Sequence, residues 1–487
     1  MNRALRLIPD IRQDRYLPMA VLGLVCLTYV NMLYCTLGYE FGRGQMTFLA
    51  GPDDRFADVI KLSLSYRSVT QGLDETKNFQ SWNPVYQHYY EYPDYGGLQS
   101  LAKGELTHFH HPPFSTLVFL LCGIFLVWTG SPPLLLLVFF SIYLLEVWAM
   151  IRIGISREKR TMPFVLGIWF FCLASYPALV IFGRGNYVNA GLTTIPITAF
   201  LLAAFTRRGR SVAALVALAI AVNIHPNAII FLVALPLAYG LRRAIKPVLH
   251  FTAIALAMLG ASYFAAHALY PDYSAGTFLQ GVAIYGKIYV AGGAGLRMGS
   301  SLYGLVRSLN HGLRLGISFA AESKVFYAAA VVLLIVACSA VWRDWIRGQS
   351  AAAHEGTASE RPRSGDRMER LGHAPAAVTA FFLASFYCIL SPVFADYHLL
   401  VFIAPLFLTM LEAGHWRDSS RLLTLVAAGS LLMLSPKNYP LQHASVQVIV
   451  NPLILCVTVL WLAIALLTDV RQPAGTTARF ADVKGQH

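Results

Sequence analysis

Charge is scarce in this chain. Only 13% of its 487 residues are Asp, Glu, Lys or Arg, against about 25% in ordinary soluble domains. With 56% hydrophobic residues and a mean hydropathy of +0.55, it does not read as a soluble domain. Paired cysteines are missing too. Cys26, Cys35, Cys122, Cys172, Cys338, Cys388 and Cys456 lie in or beside apolar segments and none forms a Cys-x-x-Cys pair, which argues against a disulfide framework or a metal site. No apolar alternation with a period of two runs along the chain, which excludes a membrane barrel. No internal repeat of the kind many carriers show is visible, nor a serine elbow or an Arg-His cluster suited to moving acyl groups or lipid phosphates. After Arg3, Arg6, Arg12 and Arg15 an apolar run fills about 17–37 with no small-residue cleavage site behind it, so an anchoring helix is expected rather than a cleaved signal.

What the chain has in abundance is apolar runs, and a bilayer crossing takes about 20 residues. Further spans are predicted near 114–129, 133–151, 163–182, 190–206, 211–224, 226–241, 248–269, 325–342, 375–390, 399–412, 422–435 and 447–468. The expected fold is an all-α polytopic transmembrane protein of 11–13 helices, a single domain over 1–487. The net charge of +13 does not point to nucleic acid, because Lys and Arg gather in short loops beside the apolar runs, as orientation signals do. Arg152–Arg160, Arg207–Arg210, Arg242–Lys246, Arg343–Arg370 and Arg417–Arg421 are thereby expected inside. The long first loop, 183–189, 270–300, 391–398 and 435–445 are expected outside, on a multi-pass protein of the plasma (inner) membrane. This sidedness conflicts with two crossings in 114–151, and the breakers Pro112-Pro113 and Pro132-Pro133 favour a non-crossing segment there. The polar stretch 343–373, with six Arg against five acids, reads as a flexible cytoplasmic linker, and the tail 470–487 reads likewise.

The most informative feature is the polar loop 38–112, which follows the first span. It holds nine of the 25 acidic residues and thirteen aromatics. Carboxylates concentrated beside a membrane imply water and a substrate. Asp58, in a helical pattern at 55–66 with Phe56, Val59, Ile60, Leu62 and Leu64, can face a cavity and take the proton of an acceptor hydroxyl. Asp54 and Asp53 are alternates, although either also fits the cap of a helix begun at Gly51-Pro52. Trp82 and Tyr86 can stack on sugar rings. His110 and His111, at the membrane surface before Pro112-Pro113, suit hydrogen bonding to substrate or headgroup better than a metal, since no helix holds them and His108 on one face.

Other polar groups mark the breaks between apolar runs. Arg184-Gly185-Asn186 puts a cation on the side where cations are sparse, and a phosphate, gripped by the guanidinium fork, is its natural partner. Snorkelling to lipid headgroups fits equally. Asn223, His225 and Asn227 surround Pro226 and should line a cavity, because lipid cannot satisfy them. Lys287, Arg297 and Arg307 form a second cationic set. Asp396, Tyr397 and His398 stand at a later helix start. Glu146 lies inside an apolar run, where an ionised side chain is expensive and calls for a partner.

On these residues the chain resembles the GT-C superfamily of membrane glycosyltransferases, and most closely glycosyltransferase family 87, whose members use polyprenyl-phosphate mannose or arabinofuranose. Short motifs carry the resemblance: Phe56-Ala57-Asp58-Val59-Ile60-Lys61 in the first outer loop, His111-Pro112-Pro113-Phe114-Ser115 at the next helix start, and Arg184-Gly185-Asn186. Ser301-Leu302-Tyr303-Gly304 and the pair Ser391-Pro392 with Tyr397-His398 complete it. The resemblance implies a GT-C-like fold with Asp58 as general base and a donor phosphate bound by Arg184, Asn186, His225, Lys287, Arg297 and His398. The acceptor sugar falls to Trp82, Tyr86, His110 and His111. The donor is a co-substrate, the acceptor a glycan or glycolipid, and no metal or other cofactor is required. Asn223 departs from the pattern, since many members carry lysine there. The competing expectation is a flippase or exporter of lipid-linked sugars, which would need polar residues through the bilayer depth.

Overall fold

The computed structural model describes residues 111–129, 132–155, 160–178, 187–206, 211–269, 273–286, 301–355, 376–392, 396–412, 419–434 and 447–468, with Ile181, Pro271, Val290 and Phe394. The expected anchor at 17–37, most of the polar loop 38–112 and the tail lie outside these residues. Among them every regular element is a helix and none is a strand. We number the α-helices in chain order: α1 Pro113–Thr129, α2 Pro132–Gly154, α3 Met162–Ala174, α4 Leu192–Phe205 and α5 Val212–Ile224. There follow α6 Ala234–Tyr239, α7 Leu241–Leu269, α8 Ala275–Tyr285, α9 Leu302–Gly312, α10 Phe319–Glu355, α11 Ala376–Ile389, α12 Ile403–Glu412, α13 Ser419–Leu434 and α14 Gln447–Thr468. Among the described residues four helices are long and apolar enough to cross a membrane, over Leu137–Gly154, Leu241–Leu269, Phe319–Arg343 and Ile449–Thr468.

Helix ends follow local chemistry. Proline opens α1 and α2, where its fixed φ suits a first turn and its missing N–H loses nothing. Ser211 caps α5 by accepting from the Ala214 N–H, and Ser274 with Thr277 forms a capping box on α8. Inside the apolar bundle, hydroxyls return to their own helix: Thr194 donates to the Ala190 carbonyl at 2.6 Å and Thr198 to the Thr194 carbonyl at 2.7 Å. α4 is buried along most of its length and packs on α2, α5 and α12.

Three of the sequence expectations need correction. The outer loop 270–300 contains the helix Ala275–Tyr285, because Ser274 starts a helix there. The linker expected from 343 is helical as far as Glu355, since no proline interrupts Phe319–Glu355 and the next glycine after Gly348 is Gly356, just past the helix end. The expected span 226–241 is a 3₁₀ helix, Pro226–Val233, joined to the short α6.

Contacts between helix ends give the bundle two distinct faces. Thr206, just past α4, donates to the Gly154 carbonyl at the end of α2 at 2.7 Å, and Arg160 donates to the Arg152 and Ile155 carbonyls. This is the basic face. At the other end of α5, the Ser115 hydroxyl of α1 lies 3.4 Å from the Ile224 carbonyl it donates to. Phe139 stacks on Tyr187 at 5.2 Å, so α2 runs parallel to α4, from the far face towards the basic one. α1 therefore starts at the far face and, two residues from the start of α2, ends near it, with Leu117 and Leu120 packed beside Ala266 and Tyr273 beyond the middle of α7.

Candidate functional site

At the face away from the arginines, α5 ends at Ile224 because Pro226 denies the next turn a donor and drives the preceding residue out of the helical region. His225 adopts an extended conformation with φ −131° and ψ 92°. Its ring turns inward. From the other side, the chain leaving α11 bends through Ser391-Pro392 and re-enters as a 3₁₀ turn, Asp396–Phe402, which carries His398 inward. The two imidazoles meet with centroids 5.0 Å apart. Tyr387 of α11 closes the triangle, 5.8 Å from His225 and 6.1 Å from His398. Phe394 lies 5.0 Å from His398 and 5.3 Å from Tyr387, and Phe231 lies 5.2 Å from Tyr387, so aromatic rings wall the group.

Three polar atoms in this triangle are sealed from solvent and have no hydrogen-bond partner among the described residues: His225 Nδ1, His398 Nδ1 and the Tyr387 hydroxyl. Folded proteins satisfy most buried polar groups, and an orphan group costs about 1–3 kcal/mol. Three such atoms lie within one cluster of two imidazoles and a phenol, groups that can donate hydrogen bonds to oxygen.

The short motifs scattered along the sequence converge here. Ser115 of the His-Pro-Pro-Phe-Ser segment bonds the carbonyl preceding His225. His225 faces His398. The Ser301 hydroxyl donates to the Pro392 carbonyl at 3.1 Å and accepts from the Gly304 N–H at 3.1 Å. His111 starts α1, with its ring 4.7 Å from Phe119 and its carbonyl accepting from the Thr116 hydroxyl at 3.0 Å.

Of the residues expected in the site, His225 and His398 are brought together, while His111 lies four residues before Ser115, whose hydroxyl bonds the carbonyl preceding His225. Asp53, Asp54, Asp58, Trp82, Tyr86, His110, Arg184, Asn186, Lys287 and Arg297 lie outside the described residues. Asn223 does not face the triangle's chemistry. Its amide nitrogen donates to the Ala219 carbonyl at 2.9 Å and the Ala255 carbonyl at 3.2 Å, clamping α5 to α7, while Asn227 is exposed. Arg307 is not an open cation either, since Glu322 lies 3.6 Å from its Nε. Tyr387 was invisible to sequence reasoning. A lone tyrosine inside an apolar run signals only that its hydroxyl needs a partner. Among the described residues no group of three or more His, Cys, Asp or Glu side chains could hold a metal ion, and the five described cysteines are free.

No protein-family model, curated protein or solved structure matches this chain.

Proposed function

We propose that the chain is an inverting glycosyltransferase that moves one sugar, of the mannose or arabinofuranose class, from a polyprenyl-phosphate donor to a hydroxyl of a glycan or glycolipid. The reaction takes place at the outer face of the plasma (inner) membrane. One observation carries the reading: two buried imidazoles and a phenol with unsatisfied polar atoms, where three separate sequence motifs meet. A phosphate oxygen arriving there would satisfy His225, His398 and Tyr387 together. The described polar groups of this site cluster at one face of the bundle, as an enzyme working at a membrane surface needs.

In the proposed reaction Asp58 takes the proton of the acceptor hydroxyl. The freed oxygen attacks the anomeric carbon as the bond from that carbon to the phosphate oxygen breaks, and the electron pair leaves with polyprenyl phosphate. Attack from the opposite side inverts the anomeric configuration. Imidazole and phenol donors, with Arg184, Asn186, Lys287 and Arg297, stabilise charge building on the departing phosphate, the stage at which preorganised donors act most strongly. Trp82, Tyr86, His110 and His111 hold the acceptor sugar.

Purified protein in detergent, given radiolabelled polyprenyl-phosphate sugars and candidate acceptors, should form a labelled product, and Asp58→Asn should abolish that transfer while the protein still expresses and folds. Detergent has no compartments, so a flippase would yield no product. Near-normal turnover by Asp58→Asn would remove the base assignment.

A further inference from the structure

α9 is tied at two points to stretches that are remote in sequence. At its start, Ser301 holds the Pro392 carbonyl, six residues before His398. Further along, Arg307 Nη1 donates to the Val290 carbonyl at 2.8 Å, three residues after Lys287 and seven before Arg297. The guanidinium is held from two more sides. Its Nε stands 3.6 Å from Glu322 Oε2, and its carbon lies 5.8 Å from the Phe319 ring centroid. Glu322 is only 2% exposed, and its other oxygen accepts from Asn310, whose side chain also bonds both backbone groups of Ile317. Arg307 is therefore fixed from α10 and the turn before it, and it reaches back to Val290.

We infer that Arg307 is a positioning residue. By holding the Val290 carbonyl from a helix at whose start Ser301 holds the Pro392 carbonyl, it sets the spacing between Val290 and the stretch bearing His398. The inference rests on the donor-phosphate site proposed above. The physical case comes from the partners Arg307 keeps. A buried ion pair adds little net stability over well-packed apolar groups, but it accepts one geometry only. Arginine suits that geometry because Nη1 donates to the Val290 carbonyl while the planar head keeps its charge beside the Glu322 carboxylate, with Nε 3.6 Å from Oε2. Lysine, a point charge on a flexible stem, can satisfy Glu322 or Val290 but not both from one place. A displacement of about 1 Å in a substrate-binding group can slow an enzyme about a hundredfold, so a tie of this kind is felt at the site without touching substrate.

The test compares full-length wild type, Arg307→Lys and Ser301→Ala, purified in detergent and assayed with radiolabelled polyprenyl-phosphate sugar. Arg307→Lys should melt close to wild type and exchange amide hydrogens faster in peptides spanning Val290 without donor. Its KM for donor should rise about five- to fiftyfold, within the range a misplaced binding group produces, while KM for acceptor stays unchanged. Ser301→Ala, which frees the other tie, should give the same kinetic signature. A folded Arg307→Lys with wild-type KM for donor overturns the inference. So does a lowered melting temperature with unchanged kinetic constants in the folded fraction, which is what a merely structural role would give. If Arg307→Lys does not fold, Ser301→Ala decides by the same two criteria. Absence of transfer by the wild type would instead overturn the glycosyltransferase reading, and this inference with it.

Discussion

Alanine at Gly154 and at Gly429 should disturb the bundle to different extents, although the first clash is equally short at both. A Cβ at Gly154 would stand 2.6 Å from Leu202 Cβ and 3.5 Å from the Ala199 carbonyl oxygen. At Gly429 it would stand 2.6 Å from Leu406 Cδ2 and 2.7 Å from Leu406 Cγ. Leu202 Cβ is fixed to the α4 backbone, so relief at Gly154 requires α2 and α4 to part, against the Thr206 hydroxyl bond that joins their ends. Leu406 can change rotamer within α12. Overpacking costs about 1–3 kcal/mol, and replacing glycine by alanine inside a helix returns about 0.5–1 kcal/mol. Gly154→Ala should therefore lose about 2 kcal/mol, and Gly429→Ala about 1 kcal/mol or less. Thermal unfolding in detergent, followed by tryptophan fluorescence, should rank them in that order. Second-site changes sharpen the test. Leu406→Ala removes the blocking Cγ and Cδ atoms and should relieve Gly429→Ala with a coupling of about 0.5–3 kcal/mol, whereas Leu202→Ala leaves its Cβ in place and should not relieve Gly154→Ala. Equal losses at the two glycines, or relief of both by the leucine truncations, would refute the reasoning.

Two further outcomes follow from the same contacts and motifs. Tyr143→Phe removes the hydroxyl that donates to the Cys172 carbonyl at 2.7 Å between α2 and α3; the lost bond should lower stability by about 1 kcal/mol, read as a lower melting temperature with transfer activity retained. Arg184→Ala should raise KM for donor about tenfold or more, as loss of a charge-assisted bond to phosphate would, and an unchanged donor affinity would remove Arg184 from the phosphate site.

Much of the helical pattern was legible because apolar runs bounded by proline and arginine announce themselves. The starts at Pro113 and Pro132, and the ends at Phe205 and Ile224, fall where the sequence puts them, within a residue or two. The kind of helix that follows a break is harder to see. Pro226 ends α5 and turns the following stretch into a 3₁₀ helix, yet its hydropathy is that of an uninterrupted span. The helix Ala275–Tyr285 is hard to read because its place between two spans suggests a loop, although Ser274 and Thr277 carry a capping signal. At the site, His225 and His398 stand at polar breaks in apolar runs, and the fold brings their rings together edge-on, 5.0 Å apart. Asn223 and Arg307 are polar groups of the same kind, but their partners are carbonyls and a carboxylate of the bundle itself. Polarity at a break shows that a group needs a partner, and only the tertiary structure decides whether that partner is carbonyl, carboxylate or ligand.

The central claim is that His225 and His398 together receive the donor phosphate. Equilibrium binding of polyprenyl phosphate to purified wild type, His225→Leu, His398→Leu and the double variant tests it most directly. Each leucine, similar in bulk but without a hydrogen bond, should weaken binding about tenfold to a hundredfold, the range for one bond to a charged group. Because both rings grip one ligand, the double variant should lose less than the product of the two single losses. Wild-type affinity in both folded single variants would contradict the claim.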